Sequence, residues 1–276
     1  MSTDNQAGCH VLMSFKSLLI TPVKLLLTAF CFLQFALQVL WLGKVRLPRM
    51  LRPDACSQAA VTRMLLQVHH HAERFLGRVQ SFGLVRFVYQ DSPLAEACIV
   101  VANHPGLLDF IVILKDLPNA VCLYKSGTLN NPVLSSFVRV AGYIEGMDGT
   151  ASANKRIIAS CNERLQQGRH VVFFPEGTRS ETATRMHKFR AAAFQSALKS
   201  AAAIQPVAIY CDPLILGKGQ SWTVVARQDN VMTIRYLPAV TLAELPADRQ
   251  TAVALGELVA GRIDAALREM QDQHGP

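Results

Sequence analysis

The sequence predicts an α/β fold with a central, largely parallel sheet flanked by helices, preceded by an N-terminal membrane-associated helix. Three observations carry this. Apolar strand-like runs alternate with helical stretches between residues 97 and 210. Two of these runs end abruptly in Pro/Gly corners that carry polar side chains. Leu18 to Leu42 is mostly apolar, broken by Lys24, Gln34 and Gln38.

From Leu25 to Leu42 the N-terminal run approaches, without reaching, the ~20 residues of a bilayer span. Gln34 and Gln38 are one helical turn apart and share a face. Two readings stay open, a spanning helix and an amphipathic helix lying in the interface. Trp41 followed by Lys44, Arg46, Arg49 and Arg52 fits a membrane edge with the basic side in the cytoplasm. Leu42-Gly43-Lys44-Val45-Arg46 offers no small-x-small site, so cleavage as a signal peptide is not expected. Residues 1–56 therefore read as a membrane-associated segment and 57–276 as a separate domain on the cytoplasmic side.

Residues 57–79 make an amphipathic helix. Ser57 suits its cap, and Val61, Met64, Leu65, Val68, Ala72, Phe75, Leu76 and Val79 form one stripe. His69-His70-His71 within it point about 100° apart and cannot converge on one metal ion, so they read as a solvated face. Strands are expected at Ala97–Ala102, Ala120–Tyr124, His170–Phe174, Ile204–Tyr210, Ser221–Ala226 and Met232–Leu237. Helices are expected at Leu108–Leu114, Pro132–Val140, Ser152–Gln167, Ala191–Ser200 and Asp248–Met270.

A net charge of +8 and a pI near 9.3 call for an anionic partner. Nucleic acid is the weakest candidate: no helix joins a basic stripe to interleaved aromatics, and only 7% of residues are aromatic. An anionic bilayer or a phosphorylated substrate fits the apolar N-terminus better. The seven cysteines include no C-x-x-C pair and no zinc spacing, consistent with a reducing compartment.

The chemistry lies in the two corners. The first is Asn103-His104-Pro105-Gly106-Leu107-Leu108-Asp109. It stands at a strand's carboxyl end beside a helix start, where open α/β sheets place ligands. Asp109, one helical turn on, can accept a hydrogen bond from one imidazole nitrogen of His104 and leave the other as a base. The second corner is Phe174-Pro175-Glu176-Gly177-Thr178-Arg179-Ser180. There Arg179 is expected to clamp a phosphate, with backbone N–H groups near Gly177 adding donors and Glu176 holding Arg179 or an acceptor hydroxyl.

The two blocks, N-H-x-x-x-x-D and F-P-E-G-T-R-S, in this order, resemble the signature of the glycerophospholipid (1-acylglycerol-3-phosphate) acyltransferase family. Lys125, Lys188-Phe189-Arg190 and Gln205-Pro206-Val207-Ala208-Ile209 extend the resemblance over roughly residues 82–240. It implies a glycerolphosphate acyltransferase-like domain in which His104 is the general base and Asp109 its orienter. Asn103, Lys125, Glu176, Gly177, Thr178 and Arg179 would then serve substrate binding, Asn103 by positioning its loop or by polarising the thioester carbonyl. The donor would be a thioester on coenzyme A or acyl carrier protein, the partners would be membrane lipids, and neither metal nor cofactor is implied. No G-x-S-x-G elbow and no cysteine in either block provides a covalent nucleophile.

Two departures concern the acceptor. Alignment on Gly142 puts Asp148 where the family has a phosphate-holding arginine, and Ala192 stands where it tends to have glycine. Gly142-Tyr143-Ile144 and the Gly217–Trp222 stretch look more like specialised bacterial members serving aryl polyene-type or lyso-ornithine lipids. The acceptor is thus left open between a lysophospholipid and these lipids. A catalytically silent lipid-binding protein and a hydrolase are the competing classes; an oriented base argues against the first, the missing nucleophile against the second.

Overall fold

A computed structural model of the chain describes residues 4–46, 58–130, 141–146 and 151–274, with positions 49, 135 and 138. The elements are α1 (Asp4–Trp41), α2 (Gln58–Ser81), β1 (Val85–Gln90), β2 (Ile99–Ala102), α3 (Asp109–Asp116), β3 (Val121–Tyr124), β4 (Ile144–Glu145), α4 (Ala151–Gln166), β5 (Val171–Phe173), α5 (Ala192–Ser200), β6 (Ile204–Tyr210), β7 (Asn230–Tyr236) and α6 (Ala252–His274). Seven strands form one sheet in the order β1-β7-β6-β2-β5-β3-β4. Five neighbours, β6, β2, β5, β3 and β4, run parallel. β7 pairs antiparallel to β6, and β1 lies parallel to β7 at the edge.

The sheet separates two apolar cores because successive strand side chains point to opposite faces. Along β2, Val100 and Ala102 enter one core with Phe75, Leu76, Val112 and Ile113 from the helices α2 and α3. Ile99 and Val101 enter the other, with Ile157, Phe194, Val259 and Ile263 from α4, α5 and α6. All four β2 side chains are buried, as a central parallel strand requires.

Three expectations need correction. Ser221–Ala226 is a turn leading into a 3₁₀ helix at Val225–Arg227, not a strand. Val225 is buried by packing into the first core rather than by sheet pairing, while Trp222 is exposed, and the Asn230 amide caps the turn by donating to the Val225 and Leu84 carbonyls. β1 and β4 complete the sheet without having been anticipated. Of the three histidines, only His70 is exposed; His69 Nδ1 lies 2.9 Å from the Leu114 carbonyl and joins α2 to α3. The expected helix at Pro132–Val140 and the positions Ser57, Arg52, Arg139 and Asp148 lie outside the described residues.

The N-terminal helix belongs partly to this packing. Cys31 is buried in the first core, and Leu27, Phe32 and Phe35 pack against it. Phe35 and Phe32 meet the Phe75 ring at centroid distances of 4.6 and 6.0 Å. Lys24 reaches Asp229 at 3.3 Å. The opposite side exposes Val23, Leu26, Phe30, Leu33, Leu37 and Trp41, spaced three or four apart. Gln34 and Gln38 are only partly exposed and lie off this stripe, their Oε1 atoms buried.

Phe75 is fully buried between α1 and the sheet. Phe75→Ala is expected to cost about 3–5 kcal/mol. Denaturant unfolding in mild detergent measures this, and faster thiol labelling of Cys31 would report that α1 has loosened.

Candidate active site

Because β6, β2, β5 and β3 are parallel neighbours, their carboxyl ends form one rim. β2 delivers Asn103 and His104, β5 delivers the 174–180 corner, β3 delivers Lys125, and β6 leads to the 211–217 loop. A groove of about 180 Å³ opens along this rim, lined by His104, Lys125, Phe174, Pro175, Gly177 and Arg190 among others. A larger groove, of about 1000 Å³, lies between the 184–189 loop and α6 and contains neither His104 nor Asp109.

Asp109 opens α3 and is wholly buried. Its Oδ2 lies 2.7 Å from His104 Nδ1 and accepts the Gly106 N–H at 2.8 Å. An ionised carboxylate only accepts, so Nδ1 carries the proton in this pair and Nε2 keeps its lone pair. Burial pushes the Asp109 carboxyl above the usual carboxylate range, and His104 and the Gly106 N–H pull it back down. The imidazole stacks on Phe174 at 4.4 Å and is one-quarter exposed, at the groove. Gly106 is required by space: an added Cβ would lie 2.3 Å from the Ile215 carbonyl oxygen.

Asn103 is fully buried. Its amide donates to the Ile209 carbonyl at 2.8 Å and accepts the Ile209 N–H at 2.7 Å. It locks β2 to β6 and is committed to that strand, which fits the positioning role and not polarisation of a thioester.

The Glu176 carboxylate is buried as well. Oε1 accepts the His104 backbone N–H (2.8 Å) and the Ser180 hydroxyl (2.7 Å), and Oε2 accepts the His187 N–H (2.7 Å). The Ser180 N–H in turn donates to the His104 carbonyl at 2.7 Å. Glu176 thus holds the two corners together and does not pair with Arg179, as the sequence had suggested. One Arg179 nitrogen donates to the Leu216 and Gly217 carbonyls at 2.7 and 3.0 Å, anchoring the loop after β6. Gly177 lines the groove with a positive φ of 68°, and Thr178 beside it is half-buried. Lys125 is exposed at the groove.

The structure thus brings His104, Asp109, Lys125 and Gly177 to one groove or its wall, while Asn103, Glu176 and Arg179 brace it from behind. Sequence reasoning counted Ser180 in the second corner without giving it a role, and did not place Arg190 in the site. The only signal for Arg190 was its basic Lys188-Phe189-Arg190 setting.

The chain is similar to known proteins in sequence family and in fold. Residues 85–210 match the Acyltransferase family model. The chain is 27% identical over 158 residues to a chloroplastic 1-acyl-sn-glycerol-3-phosphate acyltransferase of Arabidopsis thaliana, covering 56% of this chain and 42% of that protein. It is 29% identical over 147 residues to the 1-acyl-sn-glycerol-3-phosphate acyltransferase of Helicobacter pylori strain J99, covering 51% and 60%. The aligned region thus spans about half the length of the curated relatives. The crystal structure of the 1-acyl-sn-glycerophosphate (LPA) acyltransferase PlsC from Thermotoga maritima shares the fold, with a TM-score of 0.69 at 20% identity over 90% of this chain and 95% of that one.

A raised carboxyl pKa means that the folded protein holds the Asp109 proton more tightly than the unfolded chain. The stabilisation from this proton is fully present below the unfolded value of about 3.9 and is lost as pH rises through the folded value. Asp109→Asn has no such loss. Its melting temperature is expected to gain on the wild type as pH is raised from about 4 to 7, with fluorescence-monitored melts in detergent as the measurement. A pH-independent difference would show that burial does not dominate this carboxyl.

Proposed function

Because residues 85–210 match the Acyltransferase family model, we propose that the chain moves a fatty acyl group from a thioester to the hydroxyl of a 1-acylglycerol-3-phosphate-like lysolipid. The His104–Asp109 pair at the groove is the observation that carries this reading. The reacting hydroxyl gives its proton to Nε2 of His104 as its oxygen attacks the thioester carbonyl carbon. The tetrahedral intermediate collapses with cleavage of the C–S bond, and the departing thiolate takes the proton back from the imidazolium. Asp109 keeps the ring in the required tautomer and balances its transient charge. The donor is carried by coenzyme A or acyl carrier protein, both anionic, and the net charge of +8 suits either.

The reaction is assigned to a membrane surface. The stretch Thr21–Arg46 is long and apolar enough to cross a bilayer, yet one side of it is packed on the domain through Cys31, Phe32 and Phe35. A helix so engaged cannot surround itself with lipid. The reading this supports is a helix lying in the interface, its stripe from Val23 to Trp41 sunk into lipid. Lys44 and Arg46 at its end favour the anionic cytoplasmic leaflet of the inner membrane.

His104→Ala should lower kcat for transfer from labelled acyl-coenzyme A or acyl carrier protein to lysophosphatidic acid by about 10²–10⁴-fold in a chain that still unfolds cooperatively. Wild-type turnover in this variant would eliminate the base mechanism. Replacing Leu26, Leu33 and Leu37 together by Gln should release the protein from anionic vesicles in a flotation assay while the fold persists. Continued flotation would argue that lipid contact lies elsewhere.

A further inference from the structure

We infer that Trp222, with Lys218 and Arg227 beside it, is a second lipid contact that enters the anionic bilayer surface next to α1. This rests on the interfacial reading of α1 above and extends it to the loop that follows β6. The Gly217–Trp222 stretch stands out in the sequence, and nothing in the proposed reaction uses its side chains. Trp222 is exposed at the tip of a turn that the Val224 N–H closes by donating to the Ser221 carbonyl at 3.1 Å. The turn is firmly mounted. Ahead of it, Arg179 holds the Leu216 and Gly217 carbonyls, and the Gln220 side chain accepts the Gly217 N–H at 2.8 Å. Behind it, Val225 and Ala226 are buried, and the Asn230 amide donates to the Val225 carbonyl. An indole on so fixed a backbone is displayed, not left out by fraying.

Its position decides what covers it. The 3₁₀ helix Val225–Arg227, directly after the turn, packs on α1. Val225 and Leu216 share an apolar cavity with Thr28, Cys31 and Phe32 of that helix, and Lys24 reaches Asp229 at 3.3 Å. The turn is thus bracketed by residues seated against α1, whose outer side exposes Val23, Leu26 and Phe30. A lone exposed aromatic on a soluble surface calls for no explanation. One beside an apolar helical stripe and flanked by cations has the chemistry of an interface anchor, its ring at head-group level and its cations on lipid phosphates. Lys218 and Arg227 are exposed, and no carboxylate among the described residues pairs with either; the neighbouring Asp229 is taken by Lys24. Leu107 carries the apolar surface on to the corner of His104. It is exposed between Gly106, which abuts the Ile215 carbonyl, and Leu108, which lines the cavity shared with α1. A single helix lying in the interface leaves a domain free to roll about the helix axis. A second contact off that axis fixes the tilt of the groove against the lipid.

The chain has two tryptophans, Trp41 on α1 and Trp222, so each can be read alone. Trp41→Phe leaves Trp222 as the reporter, and Trp222→Phe leaves Trp41. On vesicles of phosphatidylglycerol and phosphatidylethanolamine, both indoles should shift to shorter emission wavelengths and be quenched by brominated phospholipid. Trp222 unshifted and unquenched while Trp41 responds overturns the inference and leaves α1 in the interface. Trp222 quenched while Trp41 does not respond keeps the turn as a lipid contact and removes the reading of α1. Silence from both overturns both. In turnover, Trp222→Ser should raise KM for lysophosphatidic acid carried in vesicles about 10-fold, as expected for an exposed indole no longer leaving water. KM for a short-chain lysophosphatidic acid dissolved in water should stay within a factor of about two. Trp222→Tyr should restore most of the vesicle value. An equal rise for both acceptors would mean that Trp222 touches the acceptor itself, and overturns its role as a lipid contact.

Discussion

One buried carboxylate, Glu176, fixes the relation between the two corners on which the site is built. Its three donors come from the residue that bears the imidazole, from Ser180 at the far end of its own corner, and from His187 in the loop beyond. Hydrogen bonds to a charged group are each worth about 1.5–3 kcal/mol net, and a buried carboxylate without them would be intolerable. The same group therefore orients the His104 backbone, closes the turn that presents Gly177, and tethers the strand of chain that brings Arg190 back to the groove. A side chain that touches no substrate in the proposed mechanism sets the distance between the proposed base and Arg190.

Asp109 makes the opposite trade. It is wholly buried, one of its oxygens has no hydrogen-bond partner, and burial disfavours its charge. Stability alone would select a neutral residue there. A carboxylate costs folding free energy and gives in return an imidazole of defined tautomer, the trade that the proposed base mechanism calls for. Gly106 shows the same pressure at the backbone, pressed against the Ile215 carbonyl to bring its N–H to Asp109.

Much of this was legible in the sequence, for local reasons. β2, β5 and β6 are short apolar runs cut off by turn residues, and the helices between them carry clear stripes, so the parallel core and its functional rim could be read directly. β1 was missed because Val85-Arg86-Phe87-Val88-Tyr89-Gln90 alternates only loosely, although Gly83, with a φ of 63°, ends the preceding helix. The apolar run before Arg227 misled for the converse reason: hydrophobicity reports burial, and here burial comes from packing against the core. His104 and Asp109 are five apart on one corner, a spacing that sequence conveys. The partners of Asn103 and Arg179 lie more than thirty residues away in the chain, and only the assembled sheet could reveal that both side chains are braces. Arg190 was obscured the same way, since the position of its guanidinium over Gly177 depends on how the 181–189 loop returns.

The packing of α1 adds a coupling that neither motif suggests. Thr28, Cys31 and Phe32 line one small apolar cavity together with Leu108 and Leu216. Leu108 immediately precedes Asp109, and Leu216 supplies a carbonyl that anchors Arg179. The helix proposed to rest in lipid is thus also a wall behind the corner that bears the proposed base. If α1 left the domain to cross a bilayer, it would expose Leu108 and loosen the loop that carries Leu216. The interfacial arrangement avoids this. It keeps the corner packed while holding the groove close to the surface from which a single-chain lipid must raise only its head group. Membrane attachment and the geometry of the site are, on this reading, two faces of the same helix.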